Sequence, residues 1–256
     1  MESFNRVNIL GCPFDAISFN ETVECVKNAV LENGRLQVVP GSVDFVMKSR
    51  RDPVFAKELW QSDLVVADGK PIVWAASLLG DPIRKRVSGT DLVWSCAEIS
   101  NEIGCTVALI GGKYEITVEA AEKMIERCPN AKLVPIETPF PLGEEENAEV
   151  VKRIKSIDAK IVLAALGAPR QERWVQSHLA ASGANVGIGI GSAFDIISGR
   201  NPRAPGWIQT LGLEWFYRML QEPRRLGRRY LIDDSPFLIL LPGEIVRGKL
   251  KRQRKG

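Results

Sequence analysis

The segment DLVVADG, Asp63 to Gly69, ends an apolar run on an aspartate followed by a glycine. A carboxylate so placed, Asp68, suits a general base within reach of a hydroxyl. On its own it suits the N-cap of a helix beginning at Lys70 better still. Asp15, Asp91 and Asp195 carry similar alternatives. Glycines mark other run ends: Gly111 and Gly112 before Lys113, Gly167 before Ala168-Pro169, and Gly189 and Gly191 before Ser192. Between a strand end and a helix start, glycine lets backbone N–H groups approach a phosphate, which the helix dipole also favours. The alternative is tight packing of strand on helix. Neither GIGIGS nor LIGGK matches a GxGxxG fingerprint or a Walker loop. Gln171 and Glu172 fall in the first turn of a helix starting at Pro169 or Arg170, where proline and an acid are ordinary start signals. Gln171 also has the groups to hydrogen-bond a sugar or a uracil.

Other chemistries find little support. His178 is the only histidine, with no second His or Cys nearby to complete a common metal site. No GxSxG elbow and no D-x-D motif occurs. No metal and no bound cofactor is therefore expected. If the substrate is a nucleoside-diphosphate sugar, cationic side chains or helix termini must stabilise its leaving phosphates. Cations are concentrated late in the chain: LEWFYRMLQEPRRLGRRY, Leu213 to Tyr230, holds four aromatic residues and five arginines. Aromatics precede most of the arginines instead of interleaving with them, which fits stacked nucleic acid poorly. An interfacial amphipathic element or an ordinary helix with a solvated basic side fits better. Arg225 and Arg229 are four apart, as are Arg224 and Arg228, so either pair shares a helical face.

The elements that must position these residues alternate in type. Apolar runs at Leu36–Pro40, Asp63–Gly69, Thr106–Gly112, Ala131–Ile136, Ala159–Pro169 and Asn185–Ser192 are each followed by a helix-like stretch. Continuous apolar strands separated by amphipathic helices predict a Rossmann-like α/β domain, a parallel sheet covered by helices on both faces. Ser42 and Thr90 are available as N-caps. Ligands of such sheets sit beyond the carboxyl ends of the strands. After Gly199 the alternation stops, predicting a catalytic domain over residues 1–199 and a helical, basic appendage over 200–256. Its helices are expected near Trp207–Gln221 and Arg224–Asp233.

Composition bounds the class. The chain has 256 residues, 45% of them hydrophobic and 25% charged, enough for a full core. Five scattered cysteines without a CxxC pair predict reduced thiols in a cytosolic setting. The N-terminus lacks the pattern of a signal peptide, and PFLILLP, the longest apolar candidate, is too short to span a bilayer. Residues 200–256 carry 13 Lys/Arg against 5 Asp/Glu, a surplus of +8; with a net charge of +3 for the whole chain, the first 199 residues sum to −5. A basic tail on an acidic body suits phosphates or an anionic membrane surface.

Taken in order, DLVVADGKPIVWAASLLG, KRVSGTDLVWSCAE, VALIGG, LAALGAPRQERWV, GIGSAFDIISGRNPRAP and GLEWFYRMLQEPRRLGRRY resemble the WecG/TagA/CpsF family of bacterial glycosyltransferases. The resemblance runs from about Val7 to Tyr230. It implies an inverting, metal-independent enzyme that moves a hexose-type sugar (N-acetylmannosamine, its uronic acid or glucose) from UDP to a polyprenyl-diphosphate-linked saccharide. It implies work at the inner face of the cytoplasmic membrane, with anionic lipid and no nucleic acid as partner and self-association left open. By the same resemblance Asp68 is the base, Arg86 contacts sugar and phosphate, Gln171 belongs to the active site, and Arg218, Arg225 and Arg228 face the diphosphate. Ser42, Gly111, Gly112, Gly189, Gly191 and Ser192 are the remaining candidates for holding the donor. One stretch departs: many members carry a Thr-Pro-Asn-like triplet where this chain has Pro40, Gly41 and Ser42. Pro40 offers no side-chain hydrogen bond, so no donor sugar is assigned. The runner-up reading is a non-catalytic module that binds UDP or NAD.

Overall fold

The computed structural model describes residues 4–253, save the side chains of Gln209, Arg225 and residues 248–253. The chain opens with a hairpin, β1 (Arg6–Ile9) paired antiparallel to β2 (Cys12–Asp15). Leu10 and Gly11 turn it with φ of 52° and 95°, the double positive φ that a two-residue turn demands. No pattern in the sequence had announced this hairpin. Arg6 grips Asp15 through Nε and Nη2 at 2.8 and 2.9 Å, and Asp15 also accepts the backbone N–H of Val65 at 2.7 Å. Of the candidate aspartates, Asp15 is thus a structural tie.

The rest of the body is α1 (Phe19–Leu31), β3 (Leu36–Gly41), α2 (Val43–Arg51), α3 (Pro53–Gln61), β4 (Leu64–Ala67), α4 (Lys70–Leu79), α5 (Gly89–Ile103), β5 (Thr106–Gly111), α6 (Tyr114–Arg127), β6 (Lys132–Ile136), α7 (Glu144–Ser156), β7 (Ala159–Ala165), α8 (Arg170–Ser182), β8 (Val186–Gly189) and α9 (Ala193–Ile197). Six strands form one parallel sheet in the order β4-β3-β8-β7-β5-β6. Its residues divide by parity, as the two-residue period of a strand requires. Leu36, Val38, Leu64, Val66, Val107 and Leu109 pack under α1, α5, α6 and α9. Val39, Val65 and Ala67 pack against α2, α3 and α4, while Ala108 and Ile110 pack towards α7 and α8. Both faces are covered, so the expected Rossmann-like sheet is the one found.

Local chemistry sets the boundaries. The expected single helical stretch from Ser42 is two helices, because Pro53 interrupts it and Asp52 accepts the N–H groups of Val54 and Phe55 at 3.0 and 3.1 Å. Ser42 does hold the N-cap position of α2, without a side-chain capping bond. Thr90 does not cap: α5 begins at Gly89 with Ser88 in the cap position. Pro40 is tolerated in an inner strand because β8 pairs only with Leu36–Val38, so its missing N–H falls beyond that ladder.

From residue 200 the described chain is helical: α10 (Gly206–Leu211), α11 (Glu214–Gln221), α12 (Pro223–Arg228), a π-helical turn (Arg229–Asp233) and α13 (Pro236–Gln253). Pro223 divides the arginine-rich stretch as its ring predicts. Phe237 and Leu241 of α13 are buried in the same cluster as Ile72 and Ala75 of α4 and Phe45 of α2. Among the described residues no helix is long and apolar enough to cross a membrane.

Candidate active site

A cavity of about 980 Å³ opens over the carboxyl ends of β4, β3, β8 and β7, with α11, the π-helical turn and α13 on its other side. Pro40, Ser42, Asp68, Arg86, Gln171, Gly189, Gly191, Ser192 and Arg218 all line it. Residues far apart in sequence therefore share one space, at the end of the sheet where parallel α/β folds bind ligands.

Asp68 follows β4, and its carboxylate does not cap α4. Gly69, with φ of 124°, takes that cap position without a side-chain bond. Instead Asp68 Oδ2 accepts the N–H of Gly89, the first residue of α5, at 3.2 Å. Burial pushes its carboxyl up to about 6, against the lowering pull of the Gly89 N–H and the Arg86 and Arg218 guanidinium groups, and with a raising push from Glu214. A carboxylate poised there can accept a proton near neutral pH. Arg86, two residues before the Ser88 cap, donates to Glu214 Oε2 at 2.6 Å. One turn further along α11, Arg218 donates to Ser192 Oγ at 2.6 Å.

Gln171 is buried and its groups are committed. Its Oε1 accepts the N–H groups of Gly167 and Gly191 at 3.0 and 3.1 Å, and its Nε2 donates to Glu172 Oε1 at 2.7 Å. It ties together the loops that follow β7 and β8. Glu172 is buried too, and burial pushes its carboxyl up to about 7, opposed by the Gln171 bond. Its Oε2 has no hydrogen-bond partner among the described residues. Gly189 is glycine because a Cβ there would stand 2.5 Å from Glu172 Oε1 and 2.7 Å from Gln171 Nε2. Gly187 similarly makes room for Val175 of α8.

Three expected donor contacts are not brought together with the rest. Gly111 and Gly112 follow β5 and are not among the residues lining the cavity. Gly111 serves close packing: a Cβ would meet the Ala165 backbone at 2.7 Å, and its N–H is donated to Thr138 Oγ1 at 3.0 Å. Arg228 is exposed and off the cavity, where Arg229 is found in its place. The side chain of Arg225 lies outside the described residues. Of the other candidate aspartates, Asp91 is held by Arg203 at 2.6 and 3.0 Å, and Asp195 lines the cavity.

Sequence reasoning missed the group that seats the tail. Asp44, Lys48 and Arg51, spaced along one face of α2, meet residues 229–234. Arg229 Nε stands 3.4 Å from Asp44 and 3.5 Å from Asp234; Arg51 pairs with Asp233 at 3.3 Å. Lys48 bonds Asp44 at 2.8 Å and the Ala168 carbonyl at 2.9 Å. Burial raises the Asp234 carboxyl to about 6 against the lowering charge of Arg229. The i, i+4 and i+7 spacing of three charged residues was the available signal.

Among known proteins, the family model described as "Glycosyl transferase WecG/TagA/CpsF family" matches residues 7–255. The chain belongs to this family. Similar curated members of the WecG/TagA/CpsF family include the N-acetylglucosaminyldiphosphoundecaprenol N-acetyl-beta-D-mannosaminyltransferases of Staphylococcus aureus strains MW2 and NCTC 8325, each 29% identical over 225 residues, 87% of both chains. That of strain MRSA252 is 28% identical over the same length. Family membership identifies a glycosyltransferase; of the expected base and arginines, Asp68, Arg86 and Arg218 line the cavity and Arg228 does not.

Proposed function

We propose that the protein transfers a hexose-type sugar from UDP to a saccharide carried on a polyprenyl diphosphate, by one displacement at the sugar's anomeric carbon. Asp68 takes the proton of the attacking acceptor hydroxyl. The new bond forms from that oxygen to the anomeric carbon as the bond to the donor diphosphate breaks, its electron pair leaving with UDP. Arg86 and Arg218 offset the charge that grows on the departing phosphate. Gln171 shapes the donor cradle by fixing the loops at Gly167 and Gly191, and Ser42 and the Ser192 hydroxyl offer polar contacts. No metal is assigned a step, and self-association has no assigned role.

The observation that carries this reading is the placement of one proton-accepting carboxylate, Asp68, in a cavity that also holds Arg86 and Arg218. The names of the relatives supply the acceptor class. The basic, apolar tail suits peripheral attachment at the inner face of the cytoplasmic membrane, where such lipids present their headgroups. Pro40 and Ser42 line the cavity where many members carry Thr and Asn, so the donor sugar is left to assay. Incubating the enzyme with a panel of UDP-sugars and a lipid-diphosphate acceptor, with product mass as readout, tests the reading. Asp68→Asn should still bind UDP while losing most of the transfer; product at the normal rate removes Asp68 from the mechanism.

A further inference from the structure

The cavity has a second wall that the chemistry above leaves unused. Trp74 and Leu78, one turn apart on α4, are 51% and 57% exposed, yet both line it. On α13, Leu238 is 71% exposed and also lines it, with Phe237 and Leu241 buried against Ile72 and Ala75 of α4. Trp215 and Tyr230, packed edge to face with centroids 5.8 Å apart, complete the apolar lining. Large apolar side chains left in water along a cleft mark a binding surface.

We propose that the cleft between α4 and α13 holds the first isoprene units of the acceptor's lipid. The inference rests on the acceptor reading above and assigns where its lipid portion goes. Charge complementarity selects the occupant. Beside the Arg86 and Arg218 assigned to the donor, the same cavity holds Lys48 and Arg229, cations for a second diphosphate, and joins them to a lane of Leu, Trp and Phe. A ligand that is dianionic at one point and purely hydrocarbon beyond it matches both parts; a free nucleotide or a soluble sugar matches only the first. Burying hydrocarbon against Leu78 and Leu238 removes apolar surface on both sides from water, at about 25 cal/mol per Å².

Helix α13 supplies its own control. Ile239 is 78% exposed and adjacent to Leu238, but it does not line the cavity. In detergent micelles, the KM is measured for N-acetylglucosaminyl diphosphate carried on undecaprenol and for the same headgroup carried on an ethyl group. Leu78→Gln with Leu238→Gln should raise the KM for the undecaprenol acceptor by about tenfold or more and leave that for the ethyl acceptor within about twofold. Ile239→Gln should change neither. Equal effects on both acceptors, equal effects from Ile239→Gln, or no effect at all would overturn the cleft assignment. A wild-type enzyme that transfers to neither acceptor would instead overturn the acceptor reading on which the assignment rests.

Discussion

Glu214 and Arg86 meet at 2.6 Å across 128 residues of chain, and both line the cavity that holds Asp68. The contact lays α11 over the site, and Arg218 fastens it to Ser192 on the other side. Arg86 lowers the Asp68 carboxyl and Glu214 raises it. Removing either partner should therefore move the proton affinity of Asp68 in opposite directions. In Arg86→Gln the acid limb of the kcat/KM profile should shift to higher pH; in Glu214→Gln it should shift to lower pH. Shifts of the same sign would separate Asp68 from this pair.

Asp68 itself sets a second expectation. A base with its carboxyl near 6 is deprotonated and active above that pH. Transfer should be level at neutral pH and fall about tenfold per unit below pH 6. Asp68→Asn should cost on the order of 10²–10⁴ in kcat, with UDP affinity by calorimetry little changed. A profile that stays flat down to pH 5 would assign the proton to another group.

Gly189 admits no side chain. The methyl group of Gly189→Ala would have to displace the Gln171–Glu172 pair, which is packed under the loops at Gly167 and Gly191. Overpacking of this kind costs about 1–3 kcal/mol. Urea denaturation should show that loss together with a raised donor KM. A variant as stable as the parent would mean that the pair has another place to go.

Glu172 makes stability depend on pH. Its folded carboxyl is raised to about 7, chiefly by burial. An unfolded glutamate titrates near about 4.3. The folded state therefore binds the extra proton between these values, and the stability it contributes is complete below the lower one and lost as pH rises through 7. Asp68 and Asp234, both raised to about 6, act in the same sense. In Glu172→Gln the fall in melting temperature between pH 5 and pH 8 should be shallower than in the parent. Parallel curves would show that Glu172 keeps its charge in the folded protein.

Much of this was legible in the sequence. Each strand of the large sheet was a continuous apolar run, because both of its faces are covered. Asp68 stood out because it ends such a run. Sheet order was not legible, since apolar runs do not name their neighbours, and neither was the place of Gly111 and Gly112 outside the cavity lining. A glycine at a strand end leaves room for a phosphate or for an adjoining strand, and only the position of β5 beside β7, away from the cavity, decides between them. Arg229 in place of Arg228 has a similar cause. A π-helical turn begins at Arg229 and changes the angular phase that a regular helix would have kept. The hairpin escaped notice because its strands are four residues each and one contains Pro13. The tail, expected as an appendage, also gives Phe237 and Leu241 to the core, so its α13 is part of the body's packing.

The helices on the far side of the cavity are made after the whole sheet beneath it. A ribosome that has just released Ser192 has delivered the whole sheet, Asp68 and Arg86, but not Glu214, Arg218 or α13. Translation adds roughly 5–20 residues per second, so for some seconds the nascent protein has an open floor and nothing above it. Any ligand met during that interval finds only part of the cavity's lining. The cavity is complete only once α13 has joined the body.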